Sequence, residues 1–225
     1  MLFNNGGDIK ELLFRILISL PAILIALSVH EYFHGYAAYK QGDMTARNLG
    51  RLTLNPVAHI DVIGFLCLLI AGFGWAKPVP INPRNFRKYK SGLAVVSLAG
   101  PVSNLGLSFL GLVIFRIYAL YLMEPLFGIS ATFGICLYQF LTTFVLINIG
   151  LFVFNLLPIP PLDGSKIVSS LLPQKLSMYY LKYENIIQIV LFVALFQNWL
   201  TAPLSFLREK VLFVLQFAVD LIPGL

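Results

Sequence analysis

Charged residues are scarce in this sequence. Asp, Glu, Lys and Arg make up 12% of its 225 residues, against 58% hydrophobic, whereas ordinary soluble domains carry about 25% charged and about half apolar residues. At a mean hydropathy of +0.83, there are too few polar groups to cover a water-exposed globule. Intrinsic disorder is excluded by the same figures, because it requires low hydrophobicity and high charge. Cysteine is equally sparse. Cys67 and Cys136 both lie in apolar runs, where a thiol behaves as a small hydrophobe, so no disulfide framework is expected. The net charge of +6 does not call for nucleic acid, since membrane proteins collect Lys and Arg in their cytoplasmic loops. No secretory signal is read either, because the first apolar stretch runs into His30 and Glu31 without a small-residue cleavage site. What remains is an integral protein of the lipid bilayer.

A span needs about 20 mostly apolar residues. Residues 12–29, broken only by Arg15, form the first candidate and continue in helical character to residue 39. Residues 41–61 are polar and rich in turn and strand formers. Residues 62–76 are apolar but too short to span, and Lys/Arg flank them on both sides: Lys40, Arg47 and Arg51 before, Lys77, Arg84, Arg87, Lys88 and Lys90 after. The positive-inside rule wants both flanks in the cytoplasm, so this segment is expected to re-enter or lie at the interface. Residues 93–123, interrupted by Gly100-Pro101 and by Arg116, and residues 129–157 are long apolar stretches separated by a turn at Glu124-Pro125, expected outside. Pro158, Pro160 and Pro161 end the second of them, since each proline removes a donor and clashes with the preceding turn. Lys166, Lys175 and Lys182 then return to the cytoplasm, ahead of C-terminal helices at about 186–222. The expected fold is an all-α polytopic membrane protein, a single domain over residues 1–225. It is a bundle of about five to six hydrophobic helices with small strand-like stretches near residues 41–61.

His30-Glu31-Tyr32-Phe33-His34 places two imidazoles one helical turn apart on one face, where both can bind a zinc ion. Glu31 between them can act as the base toward water. Ionisable groups inside an apolar span are expensive and usually functional, which favours a metal site over two structural histidines. A catalytic zinc site wants a third protein ligand, and the candidates are Asp43, His59, Asp61 and Asp163. The first three sit in the turn-rich segment, where solvated loop roles are the simpler account. Asp163 follows the proline-broken end of a span, on the same side as His34. Irregular backbone at membrane depth occurs only where protein buries it or it lines a wet cavity, so Asp163 is the best candidate. Asn104 and Asn148 are amides within spans. Their default role is a helix–helix hydrogen bond, and the alternative is substrate binding or oxyanion donation. Arg15 and Arg116 can snorkel.

Four stretches together resemble the site-2 protease family of intramembrane zinc metalloproteases, in the compact group without PDZ or CBS domains. They are His30–His34; Gly42 to Ala46 with Gly50 to Pro56 and His59-Ile60-Asp61; Ala99-Gly100-Pro101-Val102-Ser103-Asn104; and Asn155 to Gly164. They cover about residues 12–170, the expected catalytic core. The resemblance implies Asp163 as third ligand to one Zn2+ per chain, and it favours Asn104 for a substrate or oxyanion role. Ser165 stands where the family frequently has a second glycine. The function implied is hydrolysis of peptide bonds in membrane-spanning protein substrates, with the active site toward the cytoplasmic side of a prokaryotic plasma membrane. The strand-forming residues 50–54 are expected to pair with an unwound substrate. The alternative is a non-proteolytic metal-binding membrane scaffold or a metal transporter.

Overall fold

The computed structural model describes residues 9–64, 67 and 74–224. Three of its helices are long and apolar enough to cross a membrane: Ile9–Gln41, the continuous stretch Tyr89–Ile129, and Ala131–Asn155. The shortest of these, at 25 residues, rises about 37 Å, which exceeds the roughly 30 Å hydrocarbon core. We label Ile9–Gln41 α1, Thr45–Asn48 α2, Tyr89–Ile117 α3, Met123–Ile129 α4 and Ala131–Asn155 α5. Then follow α6 (Asp163–Leu171), α7 (Gln174–Lys182), α8 (Glu184–Phe196) and α9 (Thr201–Asp220). Helices α8 and α9 meet at 85° and form a fourth span only if taken as one bent pair. The protein is thus an all-α polytopic membrane protein, with three or four spans among the described residues.

Helix α3 sits at the centre. Its buried face repeats every four residues: Gly92, Val96, Gly100, Asn104, Ser108 and Leu112. Small residues at this spacing let neighbouring backbones approach closely, which drives helix association in lipid. Pro101 lies inside this helix without breaking it, so the interruption expected at Gly100-Pro101 does not occur. Helix α1 packs on the half of α3 nearer its N-terminus. Toward the other end, Leu112, Val145, Ile149, Val153, Leu215 and Val219 join α3, α5 and α9 in one apolar cluster. The outer faces carry exposed large hydrophobics such as Leu17, Leu110, Phe133 and Phe213, as lipid contact requires.

The turn expected at Glu124-Pro125 is instead helical, within α4, and the chain breaks at Ser130. Residues 41–61 hold the short helix α2, a 3-10 turn (Pro56–His59) and extended backbone, and no strand exists among the described residues. The turn formers dominate there: Asp43 Oδ1 accepts from Thr45 N at 3.1 Å and Asn55 Oδ1 from Val57 N at 3.1 Å, so side chains replace a ladder. The central part of the expected re-entrant segment, residues 62–76, lies outside the described residues. Its flanks are informative. Ile60 pairs with Ala76, and Lys77 N donates to His59 O at 2.8 Å, so the two flanks lie side by side.

Candidate metal centre

His30 and His34 are buried on α1, one turn apart. His30 Nε2 and His34 Nε2 lie 3.0 Å apart, and Asp163 Oδ2 is 3.2 Å from the first and 3.0 Å from the second. Asp163 is brought here by the break after α5. Leu157 N and Ile159 N close tight turns on Phe154 O and Leu157 O, and α6 then begins at Asp163 itself. Gly164 makes the junction possible. A Cβ there would fall 2.3 Å from Leu156 O and 2.4 Å from Leu157 O, so no other residue fits against the end of α5.

The outer nitrogens fix the tautomers. Asn104 Nδ2 donates to Ala26 O (3.2 Å) and to Asn148 Oδ1 (2.9 Å), and Asn148 Nδ2 donates to Phe144 O (2.8 Å). Because backbone carbonyls only accept, both amide orientations are determined. Asn104 Oδ1 therefore faces His30 Nδ1 at 2.6 Å, and His30 must donate. His34 Nδ1 likewise donates to Val96 O at 2.7 Å. Each neutral ring then presents a lone pair at Nε2. Two such lone pairs and a carboxylate oxygen within 3.2 Å of one another repel unless a cation lies among them. A tetrahedral zinc site with bonds of about 2.0–2.2 Å separates its ligand atoms by about 3.3–3.6 Å, so this donor set fits a metal ion with a small adjustment.

Gly100 is the floor of the centre. A Cβ there would lie 2.3 Å from His34 Nε2 and 2.7 Å from His30 Cε1. Glu31 is half-buried beside the histidines, and its Oε2 accepts from Val79 N at 2.8 Å. Val79 belongs to the extended segment after Ala76, which is also held by Arg51 through Lys77 O and Pro78 O. A cavity of about 1230 Å³ opens onto the centre; Glu31, His34, His59, Asp163 and Arg208 are among its lining residues.

Of the four third-ligand candidates, Asp163 alone joins the histidine pair. Asp43, fully buried, instead accepts from Thr45 N and Oγ1, Asn82 N and Asn85 Nδ2, which ties the 41–45 turn to residues 82–85. Asp61 Oδ1 accepts from Gly64 N at 2.8 Å. His59 Nε2 donates to Thr53 O at 2.8 Å. Asn104 and Asn148 are fully buried, and both N–H bonds of Asn104 are already used within the protein. Sequence reasoning missed Gly100, Val79 and Gly164. The four-residue repeat along α3 was a readable signal for the first, while the Val79 amide depends on tertiary placement alone.

The fold and this centre define a membrane-embedded protein in which a His–His–carboxylate group could hold a metal ion, with a glutamate at its edge, an arrangement suited to a metallopeptidase. The chain belongs to peptidase family M50, whose model matches residues 18–197. A Bacillus subtilis (strain 168) protein named "Putative zinc metalloprotease YwhC" is 42% identical over 185 residues, covering 81% of this chain and 83% of that protein. "Putative zinc metalloprotease Rip2" of Mycolicibacterium smegmatis is 33% identical over 146 residues, 63% of this chain and 52% of that protein. The Mycobacterium tuberculosis (strain H37Rv) protein of the same name is 32% identical over 145 residues, with the same coverages. The matches thus reach about half the length of the two Rip2 proteins. No solved structure matches.

Proposed function

We propose that this chain is an intramembrane zinc metalloprotease. It hydrolyses peptide bonds of membrane-spanning protein substrates toward the cytoplasmic side of a prokaryotic plasma membrane, and residues 12–170 form its catalytic core. The observation that carries this reading is the convergence of His30 Nε2, His34 Nε2 and Asp163 Oδ2 within 3.2 Å beside Glu31. His30, His34 and Asp163 would hold a zinc ion, which would supply Lewis acidity toward a peptide carbonyl and toward water. Glu31 would take a proton from the attacking water and deliver it to the leaving amine. The Val79 amide holds Glu31 Oε2 in the cavity wall. Asn104 and Asn148 act by orienting His30 and do not meet the substrate. The HExxH spacing, the family and the relatives' names all support this assignment. The orientation follows from the Lys/Arg that flank residues 62–76 on both sides.

A metal-transport reading is weaker because a path needs further stations. Among the described residues, His30, His34 and Asp163 are the one group that could hold a metal. The deciding experiment measures zinc content and cleavage of a membrane-anchored test substrate for wild type and Glu31→Ala. Zinc in both proteins with cleavage lost only in the variant is expected. Zinc-free wild type, or a variant that cuts as fast as wild type, would overturn the assignment.

A further inference from the structure

Three arginines lie inside apolar helices, and two of them have counter-ions. Arg15 pairs with Glu11 at 2.5 Å and Arg116 with Asp220 at 3.5 Å. Arg208, on α9, has no carboxylate partner among the described residues, and its Nε is buried without a hydrogen bond. It stands against α5, where a Cβ on Gly150 would lie 3.9 Å from that Nε. Gly150 is about 7.5 Å of helix rise from the Asn155 end of α5 and two residues from Asn148, whose amide leads through Asn104 to His30. Arg208 is therefore set at the depth of the metal centre and lines the same cavity as Glu31 and Asp163.

A guanidinium stays charged, and an intramembrane charge is retained where it has a partner. Lys166, another cation in the cavity wall, already lies 3.4 Å from Asp163 Oδ1. The described residues supply Arg208 with no carboxylate, which leaves its charge available to whatever enters the cavity. A lipid headgroup lodged there would fill space that the reacting chain needs. We propose that Arg208 forms a subsite that receives an acidic side chain of the protein substrate close to the bond to be cut. This rests on the protease reading. A carboxylate can take two parallel hydrogen bonds from a guanidinium, so the subsite selects Asp or Glu over isosteric amides.

The test uses synthetic transmembrane peptides that differ only in carrying Glu, Gln or Lys at one position scanned along the cavity-bound stretch. Their affinities are measured for the full chain with Glu31→Gln in lipid nanodiscs, with and without Arg208→Met, Arg208→Lys or Arg208→Glu. At one position, Glu is expected to bind about tenfold better than Gln. Arg208→Met brings that ratio to about one, Arg208→Lys keeps part of it, and Arg208→Glu turns the preference to Lys. A ratio near one at every position in the Arg208-intact protein overturns the subsite, as does a ratio that survives Arg208→Met. A dependence on phosphatidylglycerol in the nanodisc that disappears with Arg208→Met, without peptide discrimination, assigns the charge to a headgroup and also overturns it. Cleavage by the Glu31-intact protein separates the two readings. Arg208-dependent binding without cutting sinks the protease and keeps the subsite. Cutting with equal kcat/KM for all peptides does the reverse.

Discussion

The two histidines depend on their outer nitrogens as much as on the inner ones. A chain of oriented amides, Phe144 O to Asn148 to Asn104, leaves His30 one available tautomer. Partners of this kind are worth about 10–100-fold in metal affinity. Asn104→Leu is therefore expected to weaken zinc binding by that factor, and Asn148→Leu by less, because Asn104 keeps its bond from His30. Competition with a chelating dye checks both, and an unchanged affinity in Asn104→Leu would refute the orienting role. Gly100→Ala acts by another route. Its methyl would fall 2.3 Å from His34 Nε2, far inside van der Waals contact, so α3 and α1 must separate or the ring must turn. Zinc content is expected to fall below stoichiometric while circular dichroism retains the helices.

At the scale of elements, the sequence disclosed the parts whose cause is local. The four-residue spacing of His30 and His34 needs only a helix, and the proline cluster at 158–161 announces the break that delivers Asp163. The α3 stripe was equally present, but Pro101 made the stretch look interrupted, whereas lipid-buried helices tolerate such a proline when neighbours satisfy the freed groups. What could not be read was the clamp around Asp43, because its partners Asn82 and Asn85 are about forty residues away. Strand-like composition at 50–54 likewise says nothing about whether a partner strand exists. The clamp makes a pH prediction. Burial pushes the Asp43 carboxyl up, but hydrogen bonds from Thr45, Asn82 and Asn85 outweigh it, so its pKa is lowered. A group more acidic in the folded than in the unfolded state stabilises above its unfolded pKa of about 3.9, and that contribution is lost as pH falls through the lower folded value. Asp43→Asn is expected to be less stable at pH 7 by about 1–3 kcal/mol. The gap from wild type should close below pH 4 in thermal melts, and a gap constant with pH would remove Asp43 as its source.

For the whole molecule, the metal centre joins elements that are far apart in sequence. His30 and His34 come from α1, Asp163 from the start of α6, and α3 supplies the Gly100 floor and the Val96 carbonyl. Without a cation, three electron-rich atoms face one another at 3.0–3.2 Å in a buried place, so the assembled bundle is under electrostatic load there. A ligand that binds only the folded state adds RT ln(1 + [L]/Kd), about 4 kcal/mol at a thousandfold excess over Kd. Chelation is therefore expected to lower the Tm of the detergent-solubilised protein, and added zinc to restore it in a concentration-dependent way. His34→Ala and Asp163→Ala should lose that response. Glu31→Ala should keep it, since Glu31 contributes to proton transfer and not to holding the ion. If Glu31→Ala abolished the zinc-dependent shift as fully as His34→Ala did, the carboxylate would belong among the ligands, and the division of labour between Glu31 and Asp163 would have to be redrawn.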